Sequence, residues 1–277
     1  MNRMSDQSFL RKSQYANPKN LNARIKIHQL FSTPGENWND FVYNHLSIQG
    51  NNKVLALGCG NATQWTTNLS RFPEKCLITL SDLSLGMLSG TRLGLAADER
   101  VNLSVLDAQA LPYTEALFDR VTANHMLYHV PDIEKALKEV GRVIKPDGLF
   151  IAATNGEDHM RELYELVTDF NSAYVAEDNK HTRFSLENGI EKLGKVFPYV
   201  KKVLHLSNLW VTDAVMLTDY VFSMWDAQGV IPPDSYKDMQ AYFVGQIDRS
   251  GGIKIRKSTG LFLASQEKET LRSVPAL

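Results

Sequence analysis

The stretch Lys53-Val54-Leu55-Ala56-Leu57-Gly58-Cys59-Gly60-Asn61-Ala62 decides the fold. It opens as a short apolar run, the pattern of a strand buried on both faces. It then breaks on two glycines one residue apart, and a helical pattern follows over Ala62–Arg71. Glycines at a strand-to-helix junction let the backbone come close to a ligand. The G-x-G-x-A spacing lacks the last glycine of the dinucleotide fingerprint, so by itself it also suits a plain tight turn.

The same rhythm continues outward. Apolar runs at Leu77–Ser81, Val101–Leu106, Arg120–Ala123 and Gly148–Ala153 alternate with helical patterns over Ser84–Leu95 and Asp132–Val143. That alternation predicts βαβ units with right-handed crossovers and a parallel sheet. Lys145-Pro146-Asp147-Gly148 reads as the turn before the fifth strand. Upstream, residues 1–20 are expected to be partly loose. A helix is expected from Asn20 to the breakers Pro34-Gly35, and a second from Trp38 to Leu46. Downstream, helices are expected over Asp158–Val175 and Ser185–Lys195, with a polar loop at Ala176–Thr182 between them. Long strands Tyr199–Thr212 and Ile253–Ser265 enclose two more helices, Ala214–Gln228 and Asp234–Asp248. The expected organisation is an N-terminal helical arm (1–50), an α/β core (51–156), and the rest of the core with helical cap insertions (157–277, with insertions at about 157–183 and 213–250).

Ligands in this architecture bind at the carboxyl edge of the sheet. Asp82 follows the second strand, where a carboxylate can hold ribose hydroxyls or cap the next helix. Asp107 and Ala108 follow the third. Asn124, His125, Tyr128 and His129 gather after the fourth, and histidine can accept a proton near neutral pH.

Composition excludes several classes. The chain has 277 residues, 43% of them hydrophobic and 22% charged, with 30 basic against 31 acidic side chains. This is globular rather than disordered. A net charge of -1 argues against a nucleic-acid partner, although Lys192, Lys195, Lys201, Lys202, Lys254, Arg256 and Lys257 could form a local basic face. No apolar run is long enough to span a membrane, and the N-terminus lacks the apolar core of a signal peptide. Two cysteines build neither a disulfide framework nor a four-cysteine zinc site, so a reduced, cytoplasmic protein without a metal centre is expected.

The combination VLALGCGN, LSDLSLGML, LDAQALPY, FDRVTANHMLYHVPD and ALKEVGRVIKPDGLFIAATN resembles the class I S-adenosylmethionine-dependent methyltransferases. The likeness runs from Lys53 to Asn155, more than a third of the chain. No NPPY-like tetrapeptide follows the fourth strand, which is similar to the small-molecule branch. The resemblance implies a Rossmann-like α/β fold, a seven-stranded sheet with helices on both faces and its last strand antiparallel. It implies S-adenosyl-L-methionine as cofactor and S-adenosyl-L-homocysteine as product. Gly58, Cys59 and Gly60 would lie beside the methionine part. Asp82 would hold the ribose, Leu83 would pack on adenine, Asp107 and Ala108 would address the adenine edge, and the Asn124 carbonyl would meet the ammonium. Tyr15 and Arg24 of the arm would contact the cofactor carboxylate. Many relatives carry an acid where this chain has Ala56, and another polar group or a water is expected to stand in.

The implied reaction is in-line methyl transfer to oxygen or nitrogen of a small, partly apolar acceptor. His129 is the first candidate base, His125 the second, with Tyr128 as hydrogen-bonding partner and His28 and Tyr15 as remoter candidates. Tyr164, Trp210, Met216, Tyr220, Phe222 and Trp225 would roof the acceptor pocket. An RNA-modifying methyltransferase and a non-catalytic S-adenosylmethionine-binding protein remain the alternatives.

Overall fold

Residues 3–33, 35–95, 98–175, 183–224 and 227–274 are described by a computed structural model. Its strands are β1 (Lys53–Leu57), β2 (Leu77–Asp82), β3 (Val101–Val105), β4 (Phe118–Asn124), β5 (Ile144–Asn155), β6 (Tyr199–Val211) and β7 (Ile253–Ser265). They form one sheet in the order β3-β2-β1-β4-β5-β7-β6. The first five pair in parallel, and β7 runs antiparallel to both its neighbours. The order reverses beside β1, so the carboxyl ends of β1 and β4 flank a crevice.

The arm contributes α1 (Gln7–Phe9) and α2 (Lys19–Phe31), followed by α3 (Trp38–Leu46). The crossovers are α4 (Thr63–Asn68), α5 (Leu85–Leu95) and α6 (Ile133–Val143). Later come α7 (Arg161–Phe170), α8 (Gly189–Gly194), α9 (Ala214–Ser223), α10 (Tyr236–Ser250) and α11 (Lys268–Arg272). Helix α6 shows how local sequence decides. Asp132 caps it by accepting from the Lys135 N–H at 2.9 Å, and Ala136, Leu137, Val140 and Val143 bury one stripe. Truncating Leu137 to alanine there would cost about 2–5 kcal/mol.

Three apolar clusters hold the molecule. One lies on the sheet face covered by α6, with Leu57, Val121 and Phe150. Another lies on the opposite face, where Val54, Ala56 and Ile151 meet Phe41 and Val42 of α3. The third belongs to the cap. Leu163, Leu217, Val221, Met239 and Phe243 pack with Ile27 of α2 and with Leu209, Val211, Ile253 and Ile255. Strand β7 pairs with β5 only over Thr259–Ala264, whereas its whole length pairs with β6. The first half of β7, paired with β6 alone, therefore extends past β5 and carries the cap.

Some elements differ from expectation. Residues 3–14 form short helical turns, with Met4, Leu10 and Gln14 buried, and the Gln7 and Gln14 side chains and the Met4 carbonyl find partners far along the chain. The Asp158–Val175 pattern narrows to α7, since Met160 takes a left-handed conformation (φ 63°) that stops the helix extending upstream. Ser185–Lys195 narrows to α8 because the Asn188 side chain accepts from the Ser185 N–H and closes a turn first. The Ala214–Gln228 pattern ends at Ser223, and the next helix begins only at Tyr236, after a 3-10 turn at Pro233–Ser235. Lys145–Gly148 lies within β5 as an irregularity, where the register shifts between Phe118 and Arg120 of β4. The loop expected at Ala176–Thr182 lies outside the described residues. No described helix is long and apolar enough to cross a membrane.

Candidate functional site

The turn after β1 has Gly58 and Gly60 at φ +62° and +59°, where a side chain would be strained. A Cβ on Gly58 would come within 2.7 Å of the Met126 side chain, and one on Gly60 within 2.9 Å of Leu21. Asp82 ties this turn to the next helix. One carboxylate oxygen accepts from the Gly60 N–H at 2.9 Å and the other from the Ser84 N–H at 2.8 Å. It therefore braces the turn as well as the start of α5. Burial pushes its carboxyl up, and the N–H groups of Ser84, Gly60 and Leu83 pull it back. Burial also pushes the Cys59 thiol well above its ordinary range, helped by Asp82, so Cys59 is no thiolate nucleophile. Asp107 accepts from the Gln109 N–H and from the Gln7 amide, each at 2.9 Å. Burial raises this carboxyl, but these hydrogen bonds outweigh it and hold Asp107 below the usual carboxylate value.

Beside the turn, Asn124 donates to Gln64 Oε1 at 2.5 Å, and its own Oδ1 is buried with no hydrogen-bond partner. Ala56 packs in the core. Thr122, its partner across β1 and β4, and Gln64 supply neutral polar groups at this end of the cavity.

The arm folds over the sheet edge. Ser84 Oγ donates to the Tyr15 carbonyl at 2.7 Å, and Gly86 leaves space for the Ala16 carbonyl. Tyr15 and Arg24 meet here, and His129 joins them. Arg24 donates to the Tyr15 oxygen at 3.3 Å, the Tyr15 hydroxyl lies 3.1 Å from His129 Nε2, and His129 Nδ1 lies 2.9 Å from the Met4 carbonyl. A carbonyl only accepts, so Nδ1 carries the proton and Nε2 receives the Tyr15 hydroxyl. Desolvation by the surrounding protein lowers His129 to about 4. The Met4 carbonyl opposes this, and Arg24 and Arg183 add to it. Burial works against the Arg24 charge, but the facing tyrosines more than restore it.

His125 sits at the end of β4 with φ +53°, a conformation uncommon for a non-glycine residue, and its ring lies 5.2 Å from Trp38. The Tyr128 ring meets His129 edge-on at 4.6 Å. Burial raises the Tyr128 phenol, which makes it a hydrogen-bond donor rather than a base.

The glycine turn, the arm and the end of β4 enclose a cavity of about 630 Å³. Tyr15, Arg24, Gly58, Cys59, Gly60, Asp82, Leu83, Asp107, Ala108, Asn124, His125, Tyr128 and His129, each singled out from the sequence, line it. Of the expected roof, Tyr164 and Tyr220 line it too. Trp210 instead rests on Gly252 and is 44% exposed, Phe222 packs on Tyr236, and Met216 does not border the cavity. Trp225 lies outside the described residues. Sequence reasoning missed Gln7, Gln64, Trp38, His159 and His205, and placed Lys257 on an outer basic face although it borders the cavity. Period two along β6 and β7 puts His205, Lys257 and Thr259 on one face, but only the register shows it. The other basic residues are dispersed. Arg256 pairs with Glu162, Lys195 lies 3.8 Å from Glu134, and Lys202 donates to the Leu186 carbonyl.

Residues 55–152 match the family described as a methyltransferase domain. A demethylmenaquinone methyltransferase of Staphylococcus epidermidis is 33% identical over 137 residues, covering 48% of this chain and 56% of its own. The methyltransferase GfsG of Streptomyces halstedii is 29% identical over 117 residues, 41% of each chain. The chain thus spans about half the length of the curated relatives it matches. Among solved structures, the YcgJ protein of Bacillus subtilis superposes with a TM-score of 0.56 at 18% identity, covering 83% of this chain and 98% of that one. A phosphoethanolamine N-methyltransferase 2 of Haemonchus contortus, solved with phosphomonomethylethanolamine and S-adenosylhomocysteine, gives 0.59 at 19% identity over 95% of this chain and 59% of its own. At such identities these structures establish the fold alone.

Proposed function

We propose, from the premise that residues 55–152 form a methyltransferase domain of the class I S-adenosylmethionine-dependent type, that the protein transfers a methyl group to oxygen or nitrogen of a small, partly apolar molecule. One observation carries the reading. The glycine turn braced by Asp82 and the Tyr15–His129 pair open onto the same cavity. Its volume lies in the range of sites that enclose a small molecule.

The residues fit the cofactor. Glycines keep side chains away from the turn, the Asn124 oxygen is buried without a partner, and the Asp82 carboxylate, with about four lone-pair sites, retains acceptor capacity beyond its N–H partners. Gly58, Cys59, Gly60 and Asn124 would hold the methionine part, Asp82 the ribose, and Leu83, Asp107 and Ala108 the adenine. When bound, S-adenosylmethionine supplies a methyl group already activated on a sulfonium. The protein's own work is then to orient the acceptor, exclude water and handle any proton the acceptor loses.

The hydrogen-bonded chain from Arg24 to Met4 suits the last task. The Tyr15 oxygen accepts a proton from the acceptor as its own proton passes to His129 Nε2, and Arg24 steadies charge on that oxygen. A histidine held near 4 keeps that proton only briefly. The relay therefore suits an acceptor that gives up its proton easily, such as a phenol or an amine of lowered pKa. Tyr128 donates and His125 orients. In this assignment Tyr15 serves the acceptor rather than the cofactor carboxylate.

Calorimetric titration with S-adenosylmethionine and S-adenosylhomocysteine tests the reading. Wild type should bind both in the micromolar range. Asp82→Ala should weaken binding about tenfold or more, as loss of hydrogen bonds to a charged group implies. A screen of acceptors with labelled methyl groups follows. Absence of binding to either ligand would overturn the proposal.

A further inference from the structure

We propose that the acceptor carries an oxyanion, a carboxylate or a phosphate, and that Lys257 together with Ser32 forms its seat, at the end of the cavity away from the glycine turn. The inference deepens the methyltransferase reading and rests on it. Lys257 lies on β7, separated from β1 by β4 and β5 in the sheet. Its ammonium donates to Ser32 Oγ at 3.1 Å, and that hydroxyl in turn donates to the His28 carbonyl at 2.5 Å. An ammonium has three N–H donors, and among the described residues no carboxylate comes within ion-pair distance of this one. Burying an unpaired charge is costly, so a half-buried lysine without an acid is a place where an anion is favoured. Burial lowers Lys257 to about 8, which leaves it mainly charged at neutral pH.

His28 and His205 border the cavity, and the Nδ1 atom of each is buried without a hydrogen-bond partner. His205 gives its Nε2 proton to the Glu36 carbonyl at 2.7 Å, so its Nδ1 only accepts, whereas His28 Nδ1 can carry a proton and donate to an oxyanion. Among the described residues, three acids border the cavity. Asp82 and Asp107 serve the other end, and the exposed Glu36 carboxylate accepts from Asn44 at 2.6 Å. Lys257 thus brings an uncompensated positive charge to the acceptor end, which attracts a negative ligand.

Spacing adds a length to the chemistry. Arg24, His28 and Ser32 recur every four residues along one side of α2 and its C-terminal cap, and all three border the cavity. Eight residues of helix rise about 12 Å, so the Lys257–Ser32 seat lies roughly that far along the helix from the arginine that touches Tyr15. An acceptor anchored by its oxyanion at Lys257 would direct its other end toward Tyr15 and His129. The acceptor class is therefore an extended molecule with an acidic group at one end and the methylated atom at the other.

The test uses inorganic phosphate and acetate as probes, titrated by calorimetry at matched ionic strength into wild type, K257M and K257R, each saturated with S-adenosylhomocysteine. Wild type should bind at least one probe at millimolar concentration, and the tighter one identifies the acidic group. K257M should bind it at least about tenfold more weakly, and K257R within about threefold of wild type. S-adenosylhomocysteine binding should be unchanged in K257M. Equal probe binding by K257M and wild type, or none by wild type, overturns the seat. Loss of S-adenosylhomocysteine binding in wild type with probe binding intact overturns the methyltransferase reading instead. If K257M does not fold, as judged by circular dichroism, K257Q takes its place with the same expectation.

Discussion

Replacing Gly86 with alanine should loosen the N-terminal arm without unfolding the core. A Cβ on Gly86 would lie 1.9 Å from the Ala16 carbonyl oxygen and 2.9 Å from its carbon. That is more than an ångström short of ordinary contact, and both groups are backbone, so no side-chain rotation relieves it. Two effects compete. Alanine in a helix is favoured over glycine by about 1 kcal/mol. Overpacking of this kind costs about 1–3 kcal/mol if the neighbours stay in place. The arm is held here by Ser84 to the Tyr15 carbonyl, Gln7 to Asp107, Tyr15 to His129, His129 to the Met4 carbonyl, and Gln14 to the Ser223 carbonyl. Each is worth about 1 kcal/mol net. Lifting the arm costs a few kcal/mol, whereas displacing α5 would disturb the β2 and β3 packing as well. The arm should therefore yield locally, with the melting temperature of the core within a few degrees of wild type. Tryptic cleavage after Arg11 or Lys12 should accelerate at least about tenfold, because the open population sets the cleavage rate. Affinity for S-adenosylhomocysteine should fall in parallel, since Leu21 and Tyr15 close the cavity. Unchanged cleavage and unchanged affinity in G86A would refute the coupling of arm and site.

Other expectations follow from the same geometry. Tyr15→Phe removes the hydroxyl between Arg24 and His129; methyl transfer should slow about a hundredfold while S-adenosylhomocysteine affinity changes less than about threefold, and an unchanged rate would eliminate the proton relay. Stability should fall in mild acid. His129 and His28 are lowered to about 4 and about 3, chiefly by burial, so below about 6.5 the unfolded chain gains protons that the folded chain refuses. Denaturant melts should lose stability as pH drops from about 6.5 toward 4, by at most about 3 kcal/mol for each histidine. His28→Gln should flatten that slope, and an equal slope in the variant would remove His28 as a source.

The α/β alternation was legible because its signals are local. A strand buried on both faces is a continuous apolar run, and Gly58, Gly60, Pro146 and Gly148 mark the breaks within a few residues. Asp82 was legible for the same reason, since its position follows from counting one βαβ unit, although its second hydrogen bond to Gly60 was not. Helix lengths were less legible. Met160 stops α7 by a left-handed backbone conformation, which no hydrophobic period announces.

By itself, the sequence determined the order of strands and helices, the glycine turn, and the polar residues at the sheet edge. These depend on side-chain period and turn conformation, which neighbouring residues set. Only the tertiary structure decided which distant groups meet. His129 takes the Met4 carbonyl from 125 positions away, and Gln7 reaches Asp107 across 100. Lys257 faces Ser32 and the cavity rather than an outer basic surface because β7 pairs antiparallel between β5 and β6. A one-residue slip of that pairing would turn its side chain to the other face, and sheet register is fixed by packing across the whole core rather than by any local run of residues.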